Sequence, residues 1–290
     1  MTLGFLGSGN MAAAMARGWA GADSPPAEML FTDRGSGRAA GLAEELAGGP
    51  AGGADLSTEA LGDNAELAAR SDLLILGCKP ADLERVASGA QVSSAVLSLL
   101  GATPVARVAE HFPEAAVYRV MPNLAVELRR GVLCLATNEA PAGDAVAGGG
   151  ADSGGGGTAG IREGAVRRGD LIELLGQLGR VHELPESNLD AATAVMGCSP
   201  AYLDLFVDAL AGGGVIDGGL DPGLARQLTL EAFEGSLALI ASRKPGEVRR
   251  AVASPGGSTE AGLRALEENG FAEVAAGAVR ASLERMRGAG

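Results

Sequence analysis

Thr2 to Ala12 read T-L-G-F-L-G-S-G-N-M-A, a short apolar run that breaks into Gly7-Ser8-Gly9-Asn10-Met11-Ala12 and continues as a helical stretch, Ala13 to Trp19. No other feature of the chain limits its folding as much. A short apolar run before glycines is a buried strand, and G-x-G-x-x-A is the turn that joins such a strand to a helix. Gly7 allows the tight bend, Gly9 removes a side chain that would meet a pyrophosphate, and Ala12 lets helix and strand pack closely. The helix then starts beneath the turn, with free N–H groups and the positive end of its dipole facing an anion. The chain is thus expected to open with a dinucleotide site.

A formal charge of −13 disfavours nucleic acid and anionic membrane surfaces as partners, because both need clustered Lys and Arg. The three cysteines, Cys78, Cys134 and Cys198, are widely spaced in apolar surroundings and form neither a disulfide framework nor a metal pair. No segment has ~18 or more consecutive apolar residues, and the N-terminus lacks a basic leader. The expectation is a cytoplasmic protein with reduced thiols, no membrane span and no metal.

Strand candidates follow at Glu28 to Arg34, Leu73 to Cys78, Ala95 to Leu100, Ala116 to Val120, Val132 to Thr137 and Arg180 to Leu184. Helical periodicity lies between them at Ala39 to Leu46, Leu83 to Ala87, Val105 to His111 and Val166 to Leu178. Alternation of this kind predicts an α/β fold, a Rossmann-like doubly wound parallel sheet with its ligand crevice at the carboxyl ends of the strands. Residues 138–160 are glycine-rich and aperiodic, and are expected to be a mobile surface insertion. From Glu186 the period is helical almost throughout. The predicted division is a dinucleotide-binding domain, 1–185, and an all-α domain, 186–290. Leu224 to Ile240 is apolar over more than one face, more than a small domain can cover, so this second domain is expected to dimerise.

Ser254-Pro255-Gly256-Gly257-Ser258-Thr259 precedes another helical stretch. Pro suits a first helical turn, two glycines leave N–H groups open, and hydroxyls stand beside them. By spacing alone this segment is either a plain helix cap or an anion site.

Five segments, taken in order, give the chain a family likeness: G-F-L-G-S-G-N-M-A, C-K-P at Cys78, Y-R-V-M-P-N at Tyr118 to Asn123, C-S-P-A-Y at Cys198 to Tyr202, and S-P-G-G-S-T-E-A-G-L at Ser254 to Leu263. Together they resemble pyrroline-5-carboxylate reductase, the enzyme of the last step of proline biosynthesis. The resemblance implies that Gly7, Ser8, Gly9, Asn10 and Met11 form the cofactor loop, with Asn64, Lys79 and Pro80 near the cofactor and the backbone of Leu100 and Gly101 beside the nicotinamide. It implies that Ser254, Gly256, Gly257 and Ser258 hold the substrate carboxylate, and that the Thr259 hydroxyl hydrogen-bonds the ring nitrogen. It also implies a homodimer, alone or within a larger oligomer, in which each site borrows this loop from the partner subunit. An iminium accepts hydride readily, so the protein's task is orientation, and no strong acid is compulsory.

Asp33 and Arg34 bear on the cofactor: an acid at this position bonds ribose hydroxyls, whereas an arginine accepts a 2′-phosphate. Arg34, Ser36 and Arg38 against one carboxylate tilt the expectation toward NADPH over NADH. The family commonly has Thr-Pro where Leu124 and Ala125 stand, which leaves a related cyclic imine as an alternative substrate and a non-catalytic nucleotide-binding paralogue as an alternative function. Reduction of a keto acid is the third reading, but it lacks a Lys or His acid in the helical region. His111 and His182 read as surface or helix-end residues, Cys198 as packing, and Glu186 and Asp190 as acids favoured at a helix start.

Overall fold

The computed structural model describes residues 1–47, 56–90, 95–137 and 166–288, and the predicted insertion at 138–160 lies outside them. The chain divides into two compact units. One comprises residues 1–197 with the C-terminal end from Arg285, and the other is Cys198–Glu284.

In the first unit, β1 (Thr2–Leu6), α1 (Asn10–Ala20), β2 (Glu28–Thr32), α2 (Arg38–Ala47), β3 (Ser57–Ala60), α3 (Asn64–Arg70), β4 (Leu73–Leu76), α4 (Leu83–Ser88), β5 (Ala95–Ser98), α5 (Val105–His111) and β6 (Ala116–Pro122) alternate as expected. β7 (Gly131–Thr137), α6 (Arg168–Gly176) and β8 (Gly179–Pro185) complete a sheet of order β3-β2-β1-β4-β5-β6-β7-β8. The all-parallel expectation needs one correction: β7 runs antiparallel to β6, and β8 is parallel to β7. The short turn at Leu124–Leu128 reverses the chain directly into β7, whereas a parallel partner would require a crossover helix. β3 and α3 were not anticipated from sequence. β3 is an edge strand, S-T-E-A, with no apolar alternation to reveal it.

Successive residues of β4 explain why its sequence is uniformly apolar. Leu73 and Ile75 enter one core, with Trp19 of α1, Leu42 of α2 and Leu171 of α6, while Leu74 and Leu76 enter a second core with Leu67 of α3, Val86 of α4 and Val108 of α5. A strand covered on both faces has no side left to be polar. Trp19 is fully buried, and its Nε1–H donates to the Leu174 carbonyl at 2.9 Å.

Beyond β8 come a short helix, α7 (Leu189–Ala192), and a π-helical turn, Thr193–Gly197, after which the first unit ends. The second unit is built from α8 (Ser199–Ile216), α9 (Pro222–Ala241), α10 (Glu247–Val252), α11 (Ser258–Glu268) and α12 (Phe271–Arg287). Phe206 stacks near Phe233 and Phe271, and the Tyr202 hydroxyl meets Ser282 at 2.5 Å. Yet Leu205, Ile216, Leu237 and Val274 are more than half exposed. The helical run Glu186–Ile216 is long and apolar enough, by length and composition, to cross a membrane. Asp190, Asp204 and Asp208 interrupt the run, so it contains no unbroken apolar stretch of the length sought in the sequence.

Candidate active site

The turn between β1 and α1 is shaped by contact between backbones. Gly7 has φ +101°, and a Cβ there would meet Cys78 N at 2.9 Å. Gly77, after β4, is equally constrained, since its Cβ would lie 2.6 Å from the Gly7 carbonyl and 3.0 Å from the Ala12 methyl. Gly77 was not anticipated as part of the site, although L-G-C-K-P after an apolar strand carries the signal. Gly9 differs: a Cβ there would meet only Gly77 O, at 3.6 Å. The protein alone does not forbid a side chain at Gly9, which fits the reading that its absence leaves room for a ligand.

A cavity of about 380 Å³ lies over this turn, at the carboxyl ends of β1, β2 and β4. It brings together Gly7, Ser8, Gly9, Asp33, Arg34, Asn64 and Lys79 from among the expected cofactor residues. Asn10 and Met11 occupy the first turn of α1, whereas Pro80, Leu100 and Gly101 lie outside the lining. The side chain of Leu100 is buried in the core, so only its backbone can face a ligand. Ser8 is buried too, and its hydroxyl donates to the Thr32 carbonyl at 3.2 Å.

Four cations line the cavity, Arg34, Arg38, Lys79 and Arg85, against two acids, Asp33 and Asp82. On an acidic chain this cleft is locally positive, as a phosphate-bearing ligand requires. Both acids are already engaged. Asp82 pairs with Arg34 at 3.0 Å and with Arg85 at 3.2 Å. Asp33 turns into its own loop: Oδ1 accepts from the N–H of Gly35 and Ser36, and Oδ2 from the Ser36 hydroxyl and the Ala39 N–H. These bonds, that of Ala39 foremost, hold its carboxyl below the usual carboxylate range. This cavity-lining acid thus spends acceptors on its own loop. Its lone pairs cap the start of α2. Cys78 also lines the cavity, and burial pushes its thiol up to about 11, so it is no nucleophile.

In the second unit, the loop before α11 is ordered by a turn in which Gly257 N–H donates to the Ser254 carbonyl at 2.9 Å, with Gly256 at φ +73°. Gly256 N–H donates to Glu260 Oε2 at 2.8 Å. The loop therefore already holds a carboxylate on its backbone, one supplied by its own helix. Ser254, Gly256, Ser258 and Thr259 are exposed, Gly257 is half-buried, and the Thr259 hydroxyl makes no hydrogen bond among the described residues.

The Y-R-V-M-P-N segment on β6 does structural work that the sequence reading left unassigned. Arg119 is 4% exposed and pairs through Nη1 with Glu186 at 3.1 Å and through Nη2 with Asp190 at 3.4 Å. Asn123 accepts from Val132 N–H at 3.0 Å and donates to the Met196 carbonyl at 3.2 Å. Glu186 and Asp190, expected to be dipole-favoured acids, are thus partners of a buried arginine.

Residues 186–289 match the family profile described as pyrroline-5-carboxylate reductase dimerisation, and residues 2–100 match that described as NADP oxidoreductase, coenzyme F420-dependent. The pyrroline-5-carboxylate reductase of Synechocystis sp. is 33% identical over 228 residues, 77% of each chain. That of Pseudomonas aeruginosa is 29% identical over 98% of this chain and 94% of its own. Among solved structures, Plasmodium falciparum pyrroline carboxylate reductase with NADP bound superposes with a TM-score of 0.79 at 24% identity, covering 99% of this chain and 97% of that one. The Streptococcus pyogenes enzyme gives the same TM-score and identity over 99% and 98%. At that identity the superpositions speak for the fold.

Proposed function

The chain belongs to the pyrroline-5-carboxylate reductase family, and from that premise we propose that it reduces 1-pyrroline-5-carboxylate to L-proline with NADPH as reductant. The observation that carries this reading is the locally basic cavity over the start of α1, lined by Arg34, Arg38, Lys79 and Arg85 on a chain of net charge −13. When bound, the dinucleotide supplies the hydride. The backbone of Gly7 to Gly9 and the first N–H groups of α1 hold its pyrophosphate. Arg34 and Arg38 take the 2′-phosphate, a choice favoured because Asp33 is committed to its own loop. NADH serves more weakly.

The backbone of Gly256 and Gly257 holds the substrate carboxylate, the place of which Glu260 Oε2 takes on Gly256 N–H. Ser254 and Ser258 flank it, and the Thr259 hydroxyl orients the ring nitrogen, which arrives protonated and needs no strong protein acid. The active unit is a homodimer, alone or within a larger oligomer, in which the loop of one subunit serves the cleft of its partner. The exposed Leu205, Leu237 and Ile216 supply the apolar surface for that association. The enzyme works in the cytoplasm, where its three free cysteines remain thiols.

The test is NADPH oxidation with 1-pyrroline-5-carboxylate, run beside a six-membered cyclic imine and a keto acid. Fastest turnover of the five-membered imino acid is the expected result. Preference for the larger ring would move the assignment to a related imine, and NADPH binding without any turnover would make the chain a nucleotide-binding paralogue. A kcat/KM favouring NADH would overturn the cofactor assignment alone.

A further inference from the structure

The segment between β5 and α5 carries Leu100 and Gly101, and its position in the sheet gives it a side of the cleft. A sheet made of two nucleotide-binding halves about β1 serves one nucleotide with β1 and β2, and the other with β4 and β5. The arginine-lined cavity reaches from the end of β2 across β1 to the end of β4, and residues 99–104 follow the next strand, β5, on the side where the nicotinamide belongs.

That segment is held from several directions. Fully buried Ser98 offers its Oγ to the Leu100 N–H at 3.2 Å, and buried Thr103 donates its hydroxyl proton to the Gly101 carbonyl at 3.1 Å. Ala102 sits at φ +53°, a left-handed conformation that a side chain disfavours and that persists only where its surroundings impose it. The far end is held by a residue distant in sequence. Val105 N–H, the first of α5, donates to Glu186 Oε1 at 2.8 Å. Pro104 stands at the cap position without a side chain able to accept, so Glu186 takes the place of a cap. The same oxygen receives Arg119 Nη1, the guanidinium of which is buried and also reaches Asp190.

We propose that Glu186 is a positioning residue for hydride transfer. Its carboxylate, fixed by Arg119, holds the strained Leu100–Pro104 segment in the shape that seats the nicotinamide ring. This rests on the reductase reading above. Loss of the acceptor leaves Val105 N–H unpaired and the buried Arg119 with Asp190 alone, and lets Ala102 relax.

The test compares Glu186→Ala with Glu186→Gln in the full-length protein, because glutamine keeps an acceptor oxygen for Val105 N–H. For Glu186→Ala, kcat is expected to fall on the order of a hundredfold while the Kd for NADPH, anchored by its adenosine half, stays within about threefold. The fluorescence of bound NADPH, measured without any imine, should shift toward that of free NADPH. Glu186→Gln should restore most of kcat and the bound emission. Wild-type kcat and emission in Glu186→Ala would overturn the proposal. So would equal damage in both variants accompanied by a lowered Tm, the mark of a brace for the fold alone. If the wild type binds NADPH but reduces no imine, the reductase reading falls and the emission comparison still decides the role of Glu186. If it binds no NADPH, both fall.

Discussion

The two units bury their apolar residues to very different extents. In the first, Leu3, Phe5, Trp19, Phe31, Ile75 and Leu97 are fully buried, and helices cover both faces of the sheet. In the second, Val207, Ala211 and Ala225 are the buried apolar residues, while large side chains on α8, α9 and α12 face outward. The first unit is complete in one chain. The second has the composition of a core without enough chain to close it, which is the state of a surface awaiting a like surface. In the proposed reading, dinucleotide binding falls to the self-sufficient unit, and the substrate loop to the one that needs a second copy.

The largest effect should come from the closed core. Trp19→Ala removes a fully buried ring and its bond to the Leu174 carbonyl, and should cost about 3–5 kcal/mol in urea unfolding. A loss below about 1 kcal/mol would mean that this core is looser than its burial indicates. Leu228 on α9, 47% exposed in the single chain, gives the opposite test. Leu228→Asp should leave the circular dichroism of the monomer intact and weaken dimerisation by about 3 kcal/mol, on the order of a hundredfold. An unchanged mass by light scattering across a dilution series would remove this face from the interface.

Three substitutions in the first turn of α11 sharpen the division of labour. Thr259→Ala should retain the fold and lower kcat on the order of a hundredfold, while Thr259→Ser keeps most of it. Wild-type rates in the alanine variant would end the orienting role. The smallest effect is expected at Glu260, the carboxylate of which sits on Gly256 N–H. Glu260→Gln should weaken this internal competitor and lower KM for the imino acid about threefold, the size of one exposed charge at a helix start. A raised KM would mean that Glu260 shapes the loop instead of competing for it.

Local pattern made much of the first unit legible. G-S-G-N-M-A placed the turn that Gly7 makes at φ +101°, and L-L-I-L placed a central strand because both of its faces are covered. The parts that stayed hidden depend on partners far along the chain. Nothing in S-T-E-A marks an edge strand, and nothing before Gly131 says that β7 will run against β6. Asp33 was legible as an acid at a strand end, but its attachment to Ala39 was not. Glu186 and Arg119, 67 residues apart, gave no local sign that they share a bond.

By itself the sequence determined the order of elements, the place of the glycine turn, the change from strand period to helix period, and the family likeness carried by five short segments. All of these are local, set by side-chain spacing and by where a backbone can bend. Only the tertiary structure decided the strand order and the reversal at β7, the commitment of Asp33 to its own loop, the carboxylate on Gly256, and the cap that Glu186 gives α5. Those are long-range matters or choices among competing partners: a buried charge or an unpaired N–H must find a complement wherever the fold brings one within reach.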